Sequence, residues 1–342
     1  MEKLINVFDV LEDGDDVAII GHKNPDADAI ASARILKYLI EQIHQDKRIN
    51  FFLYFDGEIS SKMKVVLDRQ KINKRHESKF KMVIAVDCAS LEQLGKYKEI
   101  FESCEETVNI DHHATNTNFG KNVFVRDKCC TACILYAVMK VEKFEISQDV
   151  CKLIYSAIVT DTACFTQNLT PQTYKYTEEL ARKKIDADAI LKFFFKSNEL
   201  SKLKLLSKAL NTLKLYANDT FALMYLRYVD FARCKGEFGD TLGIVDNAIN
   251  ISKVKTAAII IERQPKEFYV SLRSKGEIDV SEIASKFDGG GHKTMSAFNY
   301  TGDFKTLKRN LARACNSYIK KNSTEEEPVS IKFRLFKYRK DK

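Results

Sequence analysis

The sequence predicts an α/β protein: a parallel-sheet N-terminal domain with helices on both faces, joined by a helical linker to a smaller α/β C-terminal domain. Three observations lead there. Short apolar runs alternate with helix-patterned segments as far as Ile110, which is the pattern of a parallel sheet covered by helices. A lysine- and leucine-rich stretch, 191–216, carries no strand signal. Beyond it, strand-patterned and helix-patterned segments resume, and 342 residues suffice for two domains. The expected domains are 1–190 and 217–320, with the linker at 191–216 and a basic tail at 321–342.

In chain order, 3–11 has the spacing of a short amphipathic helix. The run at 17–21 is continuously apolar, as in a strand buried on both faces. Polar residues and Pro25 make 22–28 a loop. Ala29, Ala33, Leu36, Ile40 and Ile43 then fall on one helical face. The unit repeats loosely: strands at 51–55, 82–86 and 108–110, with helical segments ending near Leu67 and covering 91–101. Helices are expected over 129–142, 148–160, 171–184 and 186–214, with Phe193, Phe194 and Phe195 as packing between domains. The second domain has strands at 221–226, 256–261 and 267–272, the last two joined by a turn at 262–266, and helices at 240–249 and 304–319. Residues 329–342 alternate apolar and basic, as in a strand with a solvated face and a frayed end; a phosphate-backbone contact is the sharper alternative.

Composition narrows the function classes. Hydrophobic residues make up 45% and charged residues 30%, as in a packed water-soluble fold. No apolar stretch reaches the roughly 18 to 20 residues of a membrane span. The N-terminus has an early acid and no secretory hydrophobic segment, so a cytoplasmic protein without a membrane partner is expected. The net charge of +8 suits an anionic substrate, and a solvated lysine-rich surface equally. Nine cysteines without a secretory signal point to reduced thiols. Cys129, Cys130 and Cys133 match a C-x-x-C spacing, but the apolar run after them reads as a buried helix, so they are expected to be core residues.

The chemistry concentrates at Asp111-His112-His113, where a carboxylate and two imidazoles leave a strand together. His22, Asp26, Asp28 and Asp87 likewise follow strand ends, the place where ligands bind in open parallel sheets, and Asp161 lies at a helix end. A lone Asp at such a position is more often a helix cap or turn residue; several at one sheet edge argue for a shared site. Two divalent cations about 3.5–4 Å apart clamp a phosphate and lower the pKa of a bound water, and need several carboxylates, imidazoles and one shared ligand. Asp87 suits the shared position.

These motifs resemble the DHH phosphoesterase superfamily, and within it the nanoRNase/pAp phosphatase branch. The resemblance rests on 21–30 around His22, Asp26 and Asp28, on Val86-Asp87-Cys88, on Asp111-His112-His113, on 158–165 around Asp161, and on Gly289-Gly-Gly-His292 with the basic strand 271–276. It implies that His22, Asp26 and Asp87 hold one ion and that Asp28, Asp87, His112 and Asp161 hold the other, most commonly manganese, with magnesium also suited. Asp111 is expected to orient His112. His113 is expected to contact the scissile phosphate. Arg273 with Gly289, Gly290, Gly291 and His292 is expected to bind the substrate's other phosphate or terminal nucleotide in a cleft between the domains. Ala163, Ala27 and Ala31 stand where the family usually has glycine; all are small. The implied function is a two-metal phosphohydrolase of very short RNA oligonucleotides and of 3′-phosphoadenosine 5′-phosphate (pAp), and a homodimer is compatible with it. A phosphodiesterase of pApA or cyclic di-AMP is the alternative, and a non-catalytic nucleic-acid-binding module is a further one.

Overall fold

The structure, a computed structural model, describes residues 2–74, 79–291 and 293–322. His292 and the tail from 323 onward lie outside the described residues. The chain divides between Asn198 and Glu199 into two compact units.

The first unit runs α1 (Glu2–Phe8), β1 (Asp16–Gly21), α2 (Ala27–Ile43), β2 (Asn50–Tyr54), α3 (Ser61–Leu67), β3 (Met82–Val86), α4 (Lys98–Glu102), β4 (Thr107–Asp111), β5 (Asn122–Val125), α5 (Thr131–Val141), α6 (Gln148–Asp161), α7 (Pro171–Arg182) and α8 (Ala187–Phe195). Its five strands are parallel, in the order β2-β1-β3-β4-β5. The apolar runs of β1 and β3 are explained by their two covered faces. Val17, Ile19, Met82, Ile84 and Val86 pack with α2, α5 and α6, while Ala18, Ile20, Val83 and Ala85 pack with Leu94, Tyr97 and Phe101 on the opposite face. Between β1 and β3 the strand order reverses, and the crevice opened there at the carboxyl ends is where such sheets bind ligands.

The second unit runs α9 (Leu200–Asn211), β6 (Lys214–Tyr216), β7 (Phe221–Leu226), α10 (Tyr228–Cys234), α11 (Ile244–Ile249), β8 (Thr256–Gln264), β9 (Glu267–Ser274), α12 (Val280–Ser285), β10 (Gly290–Gly291), β11 (Met295–Thr301) and α13 (Phe304–Asn322). Its mixed sheet has the order β10-β11-β9-β8-β7-β6, with β7 and β8 parallel and the other pairs antiparallel. Alternate residues of β8 again feed two cores. Ala258 and Ile260 pack with Leu307, Leu311 and Ile283; Ala257, Ile259 and Ile261 pack with Leu205, Ile244 and Val245.

Several elements differ from expectation. The helix expected over 186–214 is two helices: polar 196–199 interrupts it, the Ser197 hydroxyl turns back to the Phe193 carbonyl, and the chain then forms strand β6. Of Phe193, Phe194 and Phe195, Phe194 packs on the core of the first unit. The helix expected over 91–101 is a 3-10 turn followed by α4, broken where Gly95 adopts φ +59°. Strands β5 and β11 were not expected, being short or mixed in polarity.

Candidate metal centre

The sequence-selected residues of the first unit meet at the carboxyl edge of its sheet. His22 leaves β1, Asp87 leaves β3, and Asp111 ends β4 with His112 and His113 following. Asp26 is the N-cap of α2, its carboxylate accepting from Ala29 N at 3.0 Å. Asp28 sits in the first turn of α2, and Asp161 is the last residue of α6. Asp87 holds φ +58°, a left-handed conformation that an aspartate adopts at some cost; here it turns the side chain off the strand end.

Three donor groups result here among the described residues: Asp87, His112 and His113 form one, and two others that share no residue with each other flank it. The donor atoms of His22, Asp26 and Asp87 lie within 4.8 Å of one another, as do those of Asp28, His112 and Asp161. Asp87 links them: Oδ2 is 3.7 Å from His22 Nε2 and Oδ1 is 3.5 Å from His112 Nε2. His22 Nε2 is 3.6 Å from Asp26 Oδ1, and His112 Nε2 is 3.4 Å from Asp161 Oδ2. The Nδ1 atoms face backbone carbonyls, Lys23 O at 3.0 Å for His22 and Lys128 O at 3.1 Å for His112. Both Nε2 atoms therefore point into the site.

The electrostatics are those of anions crowded together. Burial, then the charge of Asp87, pushes the Asp28 carboxyl well above the usual carboxylate range. Burial and the charges of Asp28, Asp26 and Asp87 do the same to Asp161. Asp87 is pushed up to about 6 by burial and by Asp26. Burial opposes charge on His22, but Asp26 and Asp87 outweigh it and raise its pKa to about 10. Carboxylates that resist ionisation beside one another are stabilised by added positive charge. Oxygen and imidazole donors in two groups linked by one carboxylate fit a pair of divalent cations.

Supporting residues absent from the sequence reading complete the site. Asp28 is gripped by the start of α5, accepting from Thr131 N at 2.6 Å and Ala132 N at 2.9 Å, and from Ser32 Oγ at 3.1 Å. Thr131 Oγ1 also donates to Asp87 Oδ1 at 3.0 Å. Of these, only Ser32 had a local signal, one helical turn beyond Asp28. The expected pairing of Asp111 with His112 is corrected: buried Asp111 bonds His113 Nδ1 at 2.7 Å, and its other oxygen accepts from Asn116 Nδ2 at 2.6 Å. The two imidazoles lie side by side, ring centroids 4.3 Å apart, but only His113 turns its Nδ1 to Asp111; the backbone carbonyl of Lys128 orients His112 instead.

In the second unit Arg273 is already engaged. Its Nε donates to Asp246 Oδ1 at 2.9 Å, and Nη1 donates to Ser271 Oγ and Leu272 O, each at 3.0 Å. Gly290 and Gly291 pair with Ala297 and Ser296 of β11. A Cβ on Gly289 would lie 2.4 Å from the Ala297 carbonyl oxygen, whereas one on Gly290 would meet nothing within 4 Å.

Residues 16–158 match the model of the DHH family, N-terminal domain, and residues 228–321 that of the DHHA1 domain. A probable bifunctional oligoribonuclease and PAP phosphatase NrnA of Streptococcus mutans is 24% identical over 289 residues, 83% of this chain and 89% of that protein. The cyclic-di-AMP phosphodiesterase PdeA of Listeria monocytogenes is 23% identical over 312 residues, 84% of this chain and 45% of its own length. A membrane protein–large ribosomal subunit bL9 fusion protein of Onion yellows phytoplasma is 21% identical over 326 residues; the match takes in 90% of this chain and only 37% of that relative's length. The crystal structure of an exopolyphosphatase-related protein from Bacteroides fragilis shares the fold, with a TM-score of 0.80 at 21% identity, over 93% of this chain and 95% of that one.

Proposed function

We propose, from the premise that the chain belongs to the DHH superfamily of phosphoesterases, that it is a manganese-dependent phosphohydrolase of very short RNA oligonucleotides and of pAp. The observation that carries the two-metal reading is Asp87, whose two oxygens face His22 and His112 separately. When bound, the cation pair supplies charge neutralisation at the phosphate and a more acidic attacking water. His22, Asp26 and Asp87 hold one ion in this reading, and Asp28, Asp87, His112 and Asp161 the other. The start of α5 keeps Asp28 and Asp87 in place. His113, fixed through Nδ1 by Asp111, presents Nε2 to the scissile phosphate and passes a proton to the leaving oxygen. Arg273, Gly289, Gly290, Gly291 and His292 are proposed to bind the substrate's remaining phosphate or terminal nucleotide, with Asp246 presetting the Arg273 fork. No helix among the described residues is long and apolar enough to cross a membrane. Action in the cytoplasm and a homodimeric state belong to the same proposal.

The Listeria relative favours a second reading, hydrolysis of pApA or cyclic di-AMP. Product analysis with manganese on labelled di- to pentanucleotides, pAp, pApA and cyclic di-AMP separates the two. The expected result is turnover of the short oligonucleotides and pAp, abolished by chelation and reduced by roughly a thousandfold or more in Asp87→Ala with the fold intact. Undiminished turnover by chelated Asp87→Ala rules the two-metal mechanism out. Tight, salt-sensitive binding of long strands without any turnover replaces it with a nucleic-acid-binding module.

A further inference from the structure

The turn that supports the metal centre also carries three thiols. Lys128 O bonds His112, Thr131 bonds Asp28 and Asp87, and Ala132 N bonds Asp28. Interleaved with them are Cys129, Cys130 and Cys133, all buried, with sulfur atoms within 4.8 Å of one another. Cys129 Sγ and Cys133 Sγ are 3.6 Å apart. Core packing alone does not require three sulfurs to converge. Sulfurs about 2.3 Å from a shared ion lie about 4 Å apart, so only small movements close such a site. An all-sulfur donor set selects a soft cation over manganese or magnesium. Three ligands leave one coordination position open, the form of a reversible site and not of a closed structural one.

We propose that Cys129, Cys130 and Cys133 form a separate site for a thiophilic cation such as zinc(II), whose occupancy weakens manganese binding at the Asp87 centre. Binding releases thiol protons to solvent and draws the three sulfurs around the ion. The turn around them moves with them, and this turn supplies the Lys128 carbonyl that orients His112, the two amides that hold Asp28 and the Thr131 hydroxyl that reaches Asp87. The coupling rests on reading the Asp87 cluster as a cation centre; the thiol site does not.

Cadmium(II) titrated into the metal-free full chain, followed by the ultraviolet thiolate-to-cadmium charge-transfer band, tests the site directly. One strongly absorbing equivalent per chain is expected. It is lost in Cys129→Ser and in Cys133→Ala and kept in Cys234→Ser and Cys315→Ser, with circular dichroism confirming that each variant folds. Calorimetry with manganese is then expected to show binding about tenfold weaker in the zinc-loaded protein, with no such difference in Cys129→Ser. An absent band, or one that survives both cluster variants, overturns the site. Equal weakening in Cys129→Ser places zinc at the Asp87 centre and overturns the coupling. A chain that never binds manganese refutes the Asp87 reading while leaving the cadmium result to decide the thiol site.

Discussion

The carboxylate cluster of the first unit and the glycine loop of the second both stand out in the sequence, yet the structure accounts for them differently. At the cluster, burial and mutual repulsion oppose the ionisation of Asp28, Asp87 and Asp161, and backbone amides hold Asp28 in spite of it. Packing offers no reason for these residues to be there. In the loop, Gly289 is required by the close approach of β11, and Gly291 by its φ of +143° against Ser296. Packing is a sufficient reason for those two, and only Gly290 is left open. Charges gathered against their own electrostatics are thus a stronger functional signal than residues that fit their surroundings.

The contrast can be broken at several points. Thr131→Val removes the hydroxyl that reaches Asp87; manganese affinity measured by calorimetry is expected to fall about 10- to 100-fold, with Thr131→Ser restoring most of it. Unchanged affinity means the cluster does not depend on α5 for its shape.

The pH dependence sharpens the same point. Asp87 titrates near 6 in the folded chain, above the ordinary carboxylate value of about 3.9. A raised pKa contributes stability that is fully present below about 3.9 and lost as pH rises through about 6. Asp28 and Asp161 are shifted in the same direction. His22, raised to about 10, begins to lose its contribution above about 6.5, again in that direction. The metal-free protein is therefore expected to lose stability between about pH 5 and 7.5, and manganese to raise Tm more at the upper end. Thermal melts at both pH values, with and without the ion, measure this; an equal rise at both removes the repulsion argument.

In the loop, Gly289→Ala is expected to destabilise by about 1–3 kcal/mol, because its Cβ meets the Ala297 carbonyl. Gly290→Ala is expected to stay within about 0.5 kcal/mol. Denaturant melts give both values. A Gly290→Ala variant of normal stability that no longer binds oligonucleotide gives the loop the functional role that packing leaves undecided. A small effect of opposite sign is expected at Ala163, which holds φ +45° in a turn where Cys164 and Phe165 are also left-handed. Ala163→Gly is expected to stabilise by about 0.5–1 kcal/mol in a thermal melt.

Sequence by itself determined the first unit's layering and the place of its chemistry. Strand and helix periods decide which faces are buried, and the end of an apolar run decides where a polar side chain emerges; that is why His22, Asp87 and Asp111 could be put at one sheet edge without coordinates. Only the tertiary structure decided which groups support them. Thr131 reaches Asp28 and Asp87 across 103 and 44 residues of chain, and no local pattern records such a pairing. Asp111 bonds His113 and leaves His112 to the Lys128 carbonyl, although the two ring centroids are only 4.3 Å apart; that choice depends on ring orientation beyond the end of β4, which residue spacing does not record. The break at 196–199 was equally hidden: helix propensity is a sum over short windows, whereas the two helices it separates each pack on the core of a different unit.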